Sequence, residues 1–569
     1  MTRPTNKPPP MSMRSLSVTL GVAVWMASVC VPVTAQPQAA QPTSSSPAAP
    51  GVWNKSTADH SKFKELQGRF ASGSEVTKAC LSCHTEAGKQ VMGTRHWTWE
   101  YTNPDTGQTL GKKTMINSFC IGDRSNEAFC QSCHIGYGWK DNKFDFHDET
   151  KVDCLACHNT GGYKKPPGMA GEVPTTRMER PDLPAGSGQF LDPVDLANVA
   201  QHVSRTRSAN CGTCHYNGGG GDGVKHGDLD SSLNKAEKSL DVHMAAKDKG
   251  GAGFTCSTCH QSDGHKLAGS RISMTASDPH GPIMRGDTVH AGRNAATCQS
   301  CHGDKPHKQP ALAVGLLNNH TSKLACQSCH IPAFARGGVS TKMAWDWSAA
   351  GKLTSEGKPI QTKDEHGHVV YDSRKGAFTL GQNVVPEYIW FNGKVRYTTQ
   401  DMKIDPAQVL KINEFLGSPD DPKARIWPVK RFHSTQPYDT VNRQLLVPHT
   451  ATPDDSAFWF NFDWDKALQA GATATGQPYS GQHGFVKSEM LWPITHMVAP
   501  AKDAVACASC HSASDKSRLG TLPGVYLPGR DHNPWLDRLG WLAVGGALLG
   551  VLVHATARLV TRRRNTGAH

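Results

Sequence analysis

The sequence predicts a mainly α-helical and irregular fold, with a small β-containing insert and one membrane-spanning helix near its C-terminus. Three observations predict it: Cys-x-x-Cys-His recurs eight times in 569 residues, seven of the copies crowd between residues 80 and 330, and an apolar run, Leu539 to Ala557, lies near the end. Motifs that dense leave no room for separate cores of ordinary size. Whatever they bind must therefore be the core. Short helices and loops wrap round it, punctuated by the 55 Gly and 36 Pro.

The motifs are Cys80/Cys83/His84, Cys130/Cys133/His134, Cys154/Cys157/His158, Cys211/Cys214/His215, Cys256/Cys259/His260, Cys298/Cys301/His302, Cys326/Cys329/His330 and Cys507/Cys510/His511. Each suits a c-type haem: the two thiols bond the porphyrin vinyl groups as thioethers, and the adjacent His binds the iron. Zinc is the competing reading of a Cys pair. Structural zinc, however, needs paired half-sites and no obligatory following His, whereas every pair here carries one. The expected cofactors are eight covalently attached haems, and the expected architecture is a multihaem cytochrome c fold with a haem-packed core.

The remaining segments follow from composition. Residues 1–35 read as a secretory signal peptide: Arg3, Lys7 and Arg14 precede the apolar stretch Val18 to Val33, and Val33-Thr34-Ala35 is a small-residue cleavage pattern. Residues 36–73 read as a flexible leader, rich in Ala, Pro, Ser and Gln at its start. The octahaem domain is expected over 74–534. Residues 535–569 read as a transmembrane anchor and basic cytoplasmic tail, because only His554 interrupts the apolar run and Arg558, Arg562, Arg563 and Arg564 follow it. That orientation places the haem domain on the periplasmic side of the cytoplasmic membrane.

Within the octahaem domain, residues 331–506 hold no motif but many aromatics and read as a packing insert or cap without chemistry of its own. Glu387 to Thr399 predicts a β-hairpin turning at Asn392-Gly393 as type I′. The formal charge of +12 invites an anionic partner. Eight haems, however, would bring about sixteen propionates and cancel most of it, and nucleic acid is excluded outside the cytoplasm.

The second iron ligand separates an electron carrier from an enzyme, since a weak distal ligand admits substrate. The distal candidates are His265 and His307, each five residues beyond a motif His, His290 and His320, each shortly before a motif, and His96, His243 and His496, with His147 and His226 in reserve. Counting does not reveal an open site. The 18 cysteines leave Cys30, which falls in the signal peptide, and Cys120, which has no disulfide partner after cleavage.

One further segment stands apart: Asn217-Gly-Gly-Gly-Gly-Asp222-Gly-Val-Lys225-His226-Gly-Asp-Leu-Asp230, after the fourth motif. By composition it is a flexible loop, though a Gly run also lets backbone approach a flat ring. Together with the eight motifs, Asn117-Ser-Phe-Cys120, Asn210–His215, the CQSCHIPAFARGG stretch from Cys326 and the single C-terminal anchor, it resembles the octahaem tetrathionate reductase family of c-type cytochromes from about Ser74 to His511.

The resemblance implies a reductase whose second haem, on Cys130/Cys133/His134, is active and takes Lys225 as a distal amine ligand, with Asp222, Asn117 and Cys120 beside it. Cys120 is open to two roles, lining the pocket or attacking the S–S bond of tetrathionate as thiolate. The implied substrates are small inorganic sulfur or nitrogen oxyanions, tetrathionate and also nitrite or hydroxylamine. A quinol-oxidising membrane protein or a periplasmic cytochrome is the expected electron donor. No Cys-x-x-Cys-Lys occurs, which argues against nitrite reductases with a proximal Lys. The alternative is a pure electron-transfer conduit in which every haem has two strong ligands.

Overall fold

The structure, a computed structural model, describes residues 58–119, 121–267, 269, 296–309, 313–512, 517–528 and 530–565. The expected signal peptide, most of the expected leader, Cys120 and His290 lie outside the described residues. The motif-bearing part is built of short pieces, as expected. Leu155–His158, Gln299–His302 and Gln327–His330 are single helical turns ending on the motif His, and Ser208–His215 is a two-turn helix doing the same. Glu127–Cys130 differs, passing into a 3₁₀ turn before His134. None of these could stand alone, since isolated helices this short are unstable in water.

The leader begins to fold earlier than its composition predicts. Two 3₁₀ turns, His60–Lys62 and Lys64–Leu66, precede the helix Gly73–Leu81, and Leu66 is buried with Val76, Leu155, Leu196 and Val199. The polar composition of 36–57 masks one apolar anchor and one histidine just after it.

The haem-free segment is larger and more ordered than a small insert. It contains a nine-stranded mixed sheet centred on the strand Arg425–Asp439, which pairs antiparallel along its length with His483–Pro493 and, on its other edge, with Glu387–Phe391 and, in parallel, with Thr341–Asp346. Its core joins Trp345, Trp347, Phe391, Phe432, Met490 and Trp492 to Met115, Ile116, Phe119 and Ile121 from the motif-bearing part. The expected hairpin is absent: Glu387–Phe391 pairs with Arg425–Val429, whereas Val395–Tyr397 pairs with Asn413–Phe415. Only Gly393 of the two turn residues has positive φ, +95°, and a type I′ turn needs both. The long central strand prevails over the local turn because it offers a ladder already buried on both faces.

At the C-terminus a helix spans Pro534–Asn565, five residues beyond the apolar run at its start and eight at its end. Its stretch Pro534–Arg562 is apolar and unburied, with Trp541, Leu542, Val551 and Leu559 all strongly exposed. At about 1.5 Å per residue it is long enough to cross a bilayer core of about 30 Å.

Candidate functional site

Seven motif histidines each face a second imidazole. The pairs are His84 with His60, His158 with His265, His215 with His96, His260 with His496, His302 with His243, His330 with His307 and His511 with His320, their ring centroids 6.0 to 6.5 Å apart. Two metal–imidazole bonds of about 2.0 Å each, plus about 1.1 Å from nitrogen to ring centre on both sides, put facing centroids roughly 6.2 Å apart. The residues therefore fit an iron held between two imidazoles at these seven motifs.

Hydrogen bonds orient several of the rings. Nδ1 of His158 bonds to the Ser204 carbonyl at 2.8 Å, Nδ1 of His265 to Gln90 at 2.8 Å and Nδ1 of His307 to Asn318 at 3.2 Å. The buried Asp228 carboxylate accepts from Nδ1 of His496 at 3.2 Å and from the backbone N–H of Thr495 and His496. Engaging Nδ1 leaves Nε2 for a metal and sets the ring plane.

Six of the expected distal histidines, His96, His243, His265, His307, His320 and His496, are among the rings that face a motif histidine. Their assignment was hidden, since His265 and His307 pair with motifs other than the ones they follow. His60 was missed because it precedes all the motifs within an apparent leader. His147 is exposed, and His226 lies edge-on to Trp492, 5.0 Å between centroids.

His134 departs from the pattern of paired imidazoles. It is fully buried among Trp97, Trp99, Trp139, Phe144 and Phe146. Its Nε2 bonds to the Trp97 carbonyl at 2.6 Å, while Nδ1 finds no hydrogen-bond partner. Burial keeps the ring neutral, its pKa pushed down to about 3. Binding an iron through Nε2 would exchange the Trp97 carbonyl for the metal. Beneath it, Lys165 pairs with buried Asp153 at 3.0 Å and donates to the Gly136 and His134 carbonyls, and Tyr137 donates to Asp153 at 2.8 Å. This network fixes the backbone on either side of the ring.

The motif thiols differ in exposure. Cys83, Cys259, Cys301 and Cys507 are exposed, whereas the other twelve motif thiols are partly buried. Cys83 shows why. The helix Gly73–Leu81 buries Gly73, Val76 and Thr77 and ends at the Ser82 cap, and Cys83 lies just beyond that cap. Its N–H donates to the Cys80 carbonyl at 3.2 Å, and the Ser82 hydroxyl is 3.9 Å from its sulfur. The first motif thus lies at the edge of a small apolar cluster, with Cys80 packed against it and Cys83 exposed.

The motifs neighbour one another in a definite order. The thiols of Cys80 and Cys154 are within hydrogen-bond reach, as are Cys133 and Cys214, Cys211 and Cys256, and Cys298 and Cys326. Cys157 and Cys211, Cys259 and Cys301, and Cys329 and Cys510 also interact electrostatically. The motifs therefore run first, third, fourth, fifth, sixth, seventh, eighth, with the second beside the fourth.

The turn at Asn117–Phe119 and the loop carrying Asp222 and Lys225 converge on one sheet face. Residues two apart on a strand share a face, and cross-strand partners do so too. Along Arg425–Asp439 that face presents Lys430, Phe432, Ser434 and Gln436, and Trp492 is the cross-strand partner of Lys430. Phe432 stacks on Phe119 at 4.0 Å, and Gln436 donates to the Ser118 hydroxyl at 3.3 Å. The Lys225 ammonium lies 4.8 Å over the Trp492 ring. Gly219, at φ +78°, passes so close that a Cβ there would meet Phe119 at 3.2 Å and Lys225 at 3.5 Å.

Asn117 closes its own turn, its side-chain oxygen accepting from Phe119 N–H at 2.9 Å. The Asp222 carboxylate accepts from the N–H of Ser231 at 2.9 Å and from its hydroxyl. The second motif adjoins the fourth, which precedes this loop: the Cys214 thiol is 3.8 Å from the Cys133 carbonyl. The aromatic segment read as inert padding is therefore the floor under the Gly-Lys loop.

A motif-dense chain with paired imidazoles and short helices is a multihaem c-type cytochrome. A family model described as bacterial cytochrome c matches residues 342–514, from the first strand of the sheet to just past the eighth motif. No curated protein matches the chain. The crystal structure of octaheme cytochrome c from Shewanella oneidensis is 39% identical and superposes with a TM-score of 0.67, covering 80% of this chain and 94% of that one. The chain belongs to the octahaem c-type cytochromes, redox proteins with covalent c-type haem.

Proposed function

We propose that this protein is a membrane-anchored, periplasm-facing reductase of small sulfur or nitrogen oxyanions, tetrathionate first, with eight covalent haems. The observation that carries the reading is the contrast among motifs: seven histidines face a second imidazole, and among the described residues His134 faces none. Cys130, Cys133 and His134 would hold the haem of that site, and Lys225 would be the labile ligand of its iron. Bound haem supplies electron storage and transfer.

The chain's own groups supply the rest. An amine binds metal only when neutral, against a reference pKa of about 10.4, so Lys225 is a weak ligand that substrate can displace. Once displaced it takes up a proton, offering a cation and an acid beside an anionic substrate. Asp222, three residues earlier, favours that protonated form. The family resemblance also assigns Asn117 and Cys120 to this site. Electrons enter from a quinol-oxidising membrane protein or a periplasmic cytochrome.

The test is reoxidation of the reduced, purified protein. Tetrathionate should reoxidise it with release of thiosulfate, and nitrite and hydroxylamine should do so at measurable rates. Failure of all three, with normal reoxidation by another cytochrome, identifies a conduit instead. The anchor is tested separately: a chain ending at Pro534 should leave the membrane fraction as a soluble, haem-loaded protein. If it still pellets with membranes, the helix is not the anchor.

A further inference from the structure

We infer that Lys430 is a positioning residue that seats Lys225, an inference that rests on the reading of Lys225 as a displaceable ligand. Lys430 is fully buried on the central strand. Its Nζ donates to the Val224 carbonyl at 3.1 Å, the Lys225 carbonyl at 3.0 Å and the Thr341 hydroxyl at 2.5 Å. Burial pushes the Lys430 pKa well down, and these three oxygens are the polar partners its amine has in place of water. Phe119 and Phe432 flank it at 5.6 and 5.7 Å, and its cross-strand partner Trp492 is the ring beneath the Lys225 ammonium.

The loop needs such an anchor. Gly219, Gly220 and Gly223 all have positive φ, and a glycine run has no conformation of its own to hold a ligand in place. Val224 remains held without Lys430, since its carbonyl also accepts from Thr341 and from the Lys342 N–H. The Lys225 carbonyl is the bond specific to the buried amine. Lys430 therefore fixes the backbone from which the Lys225 side chain springs, without touching substrate.

The experiment compares holo-protein variants by electron paramagnetic resonance, haem content and reoxidation by tetrathionate. Lys430→Met, close in size and without donors, should shift the same spectral component that Lys225→Ala abolishes, leave the others unchanged and slow reoxidation on the order of tenfold, within the range that a misplacement of about 1 Å can cost. Adding Lys430→Met to Lys225→Ala should change the spectrum no further. Thr341→Val, which removes one of the three acceptors, should shift the component partway and carries the test if Lys430→Met does not load haem. A native spectrum and rate in Lys430→Met, or in Thr341→Val where that variant carries the test, overturns the inference while the Lys225 reading stands. A native spectrum in Lys225→Ala overturns both.

Discussion

Lys225→Ala should remove one spectral component of the oxidised protein, replace it with a high-spin signal and leave the remaining haems as they are. Reoxidation by tetrathionate should slow by on the order of 100-fold or more, the scale of losing one charged group aimed at a reacting anion. Apparent KM should fall at the same time, because no ligand then has to be displaced before substrate binds. Lys225 sits over the Trp492 ring at the end of a Gly run, so its removal opens space without disturbing a packed core. Electron paramagnetic resonance and single-turnover kinetics read both effects. Unchanged spectra and rates would make Lys225 an ordinary loop residue and favour the conduit.

Trp492→Ala should be the most damaging single change to the fold near the site. Trp492 is fully buried, packs edge-on to Phe119 with centroids 5.6 Å apart, and supports both His226 and Lys225. Emptying such a position costs about 3–5 kcal/mol, read as a lowered denaturant midpoint. Trp390, nearly as buried but in a separate cluster with Ile426 and Leu519, is the control. Trp390→Ala should destabilise without changing the Lys225-dependent spectral component, whereas Trp492→Ala should do both. Equal spectra in the two variants would mean the sheet face does not set the loop.

The division between what was legible and what was not follows from the range of each interaction. Haem attachment needs two thiols and an imidazole within five consecutive residues, so the sequence states it outright. How deeply each thiol lies is not part of that pattern, and Cys83 is exposed while Cys80, three residues earlier, packs against the core. The distal imidazoles carry no local rule either. His320 and His511 are far apart in the chain yet face each other at 6.0 Å, and His60 has no flanking signal at all. The turn chemistry of Asn392-Gly393 is a correct local preference overridden by a longer ladder. Lys430 is one of 61 Lys and Arg, and nothing near it in sequence marks it as buried.

By itself, the sequence determined the haem-binding motifs, the haem-packed class of fold and the apolar C-terminal run, because each depends on contiguous residues or on composition. Only the tertiary structure decided which histidines pair, that His134 stands apart in an aromatic cage, and that a sheet first read as padding carries the Gly-Lys loop on Lys430, Phe432 and Trp492. Those are contacts between segments separated by tens of residues, as His307 and His330 are, or by hundreds, as Phe119 and Phe432 are, and no local pattern encodes them.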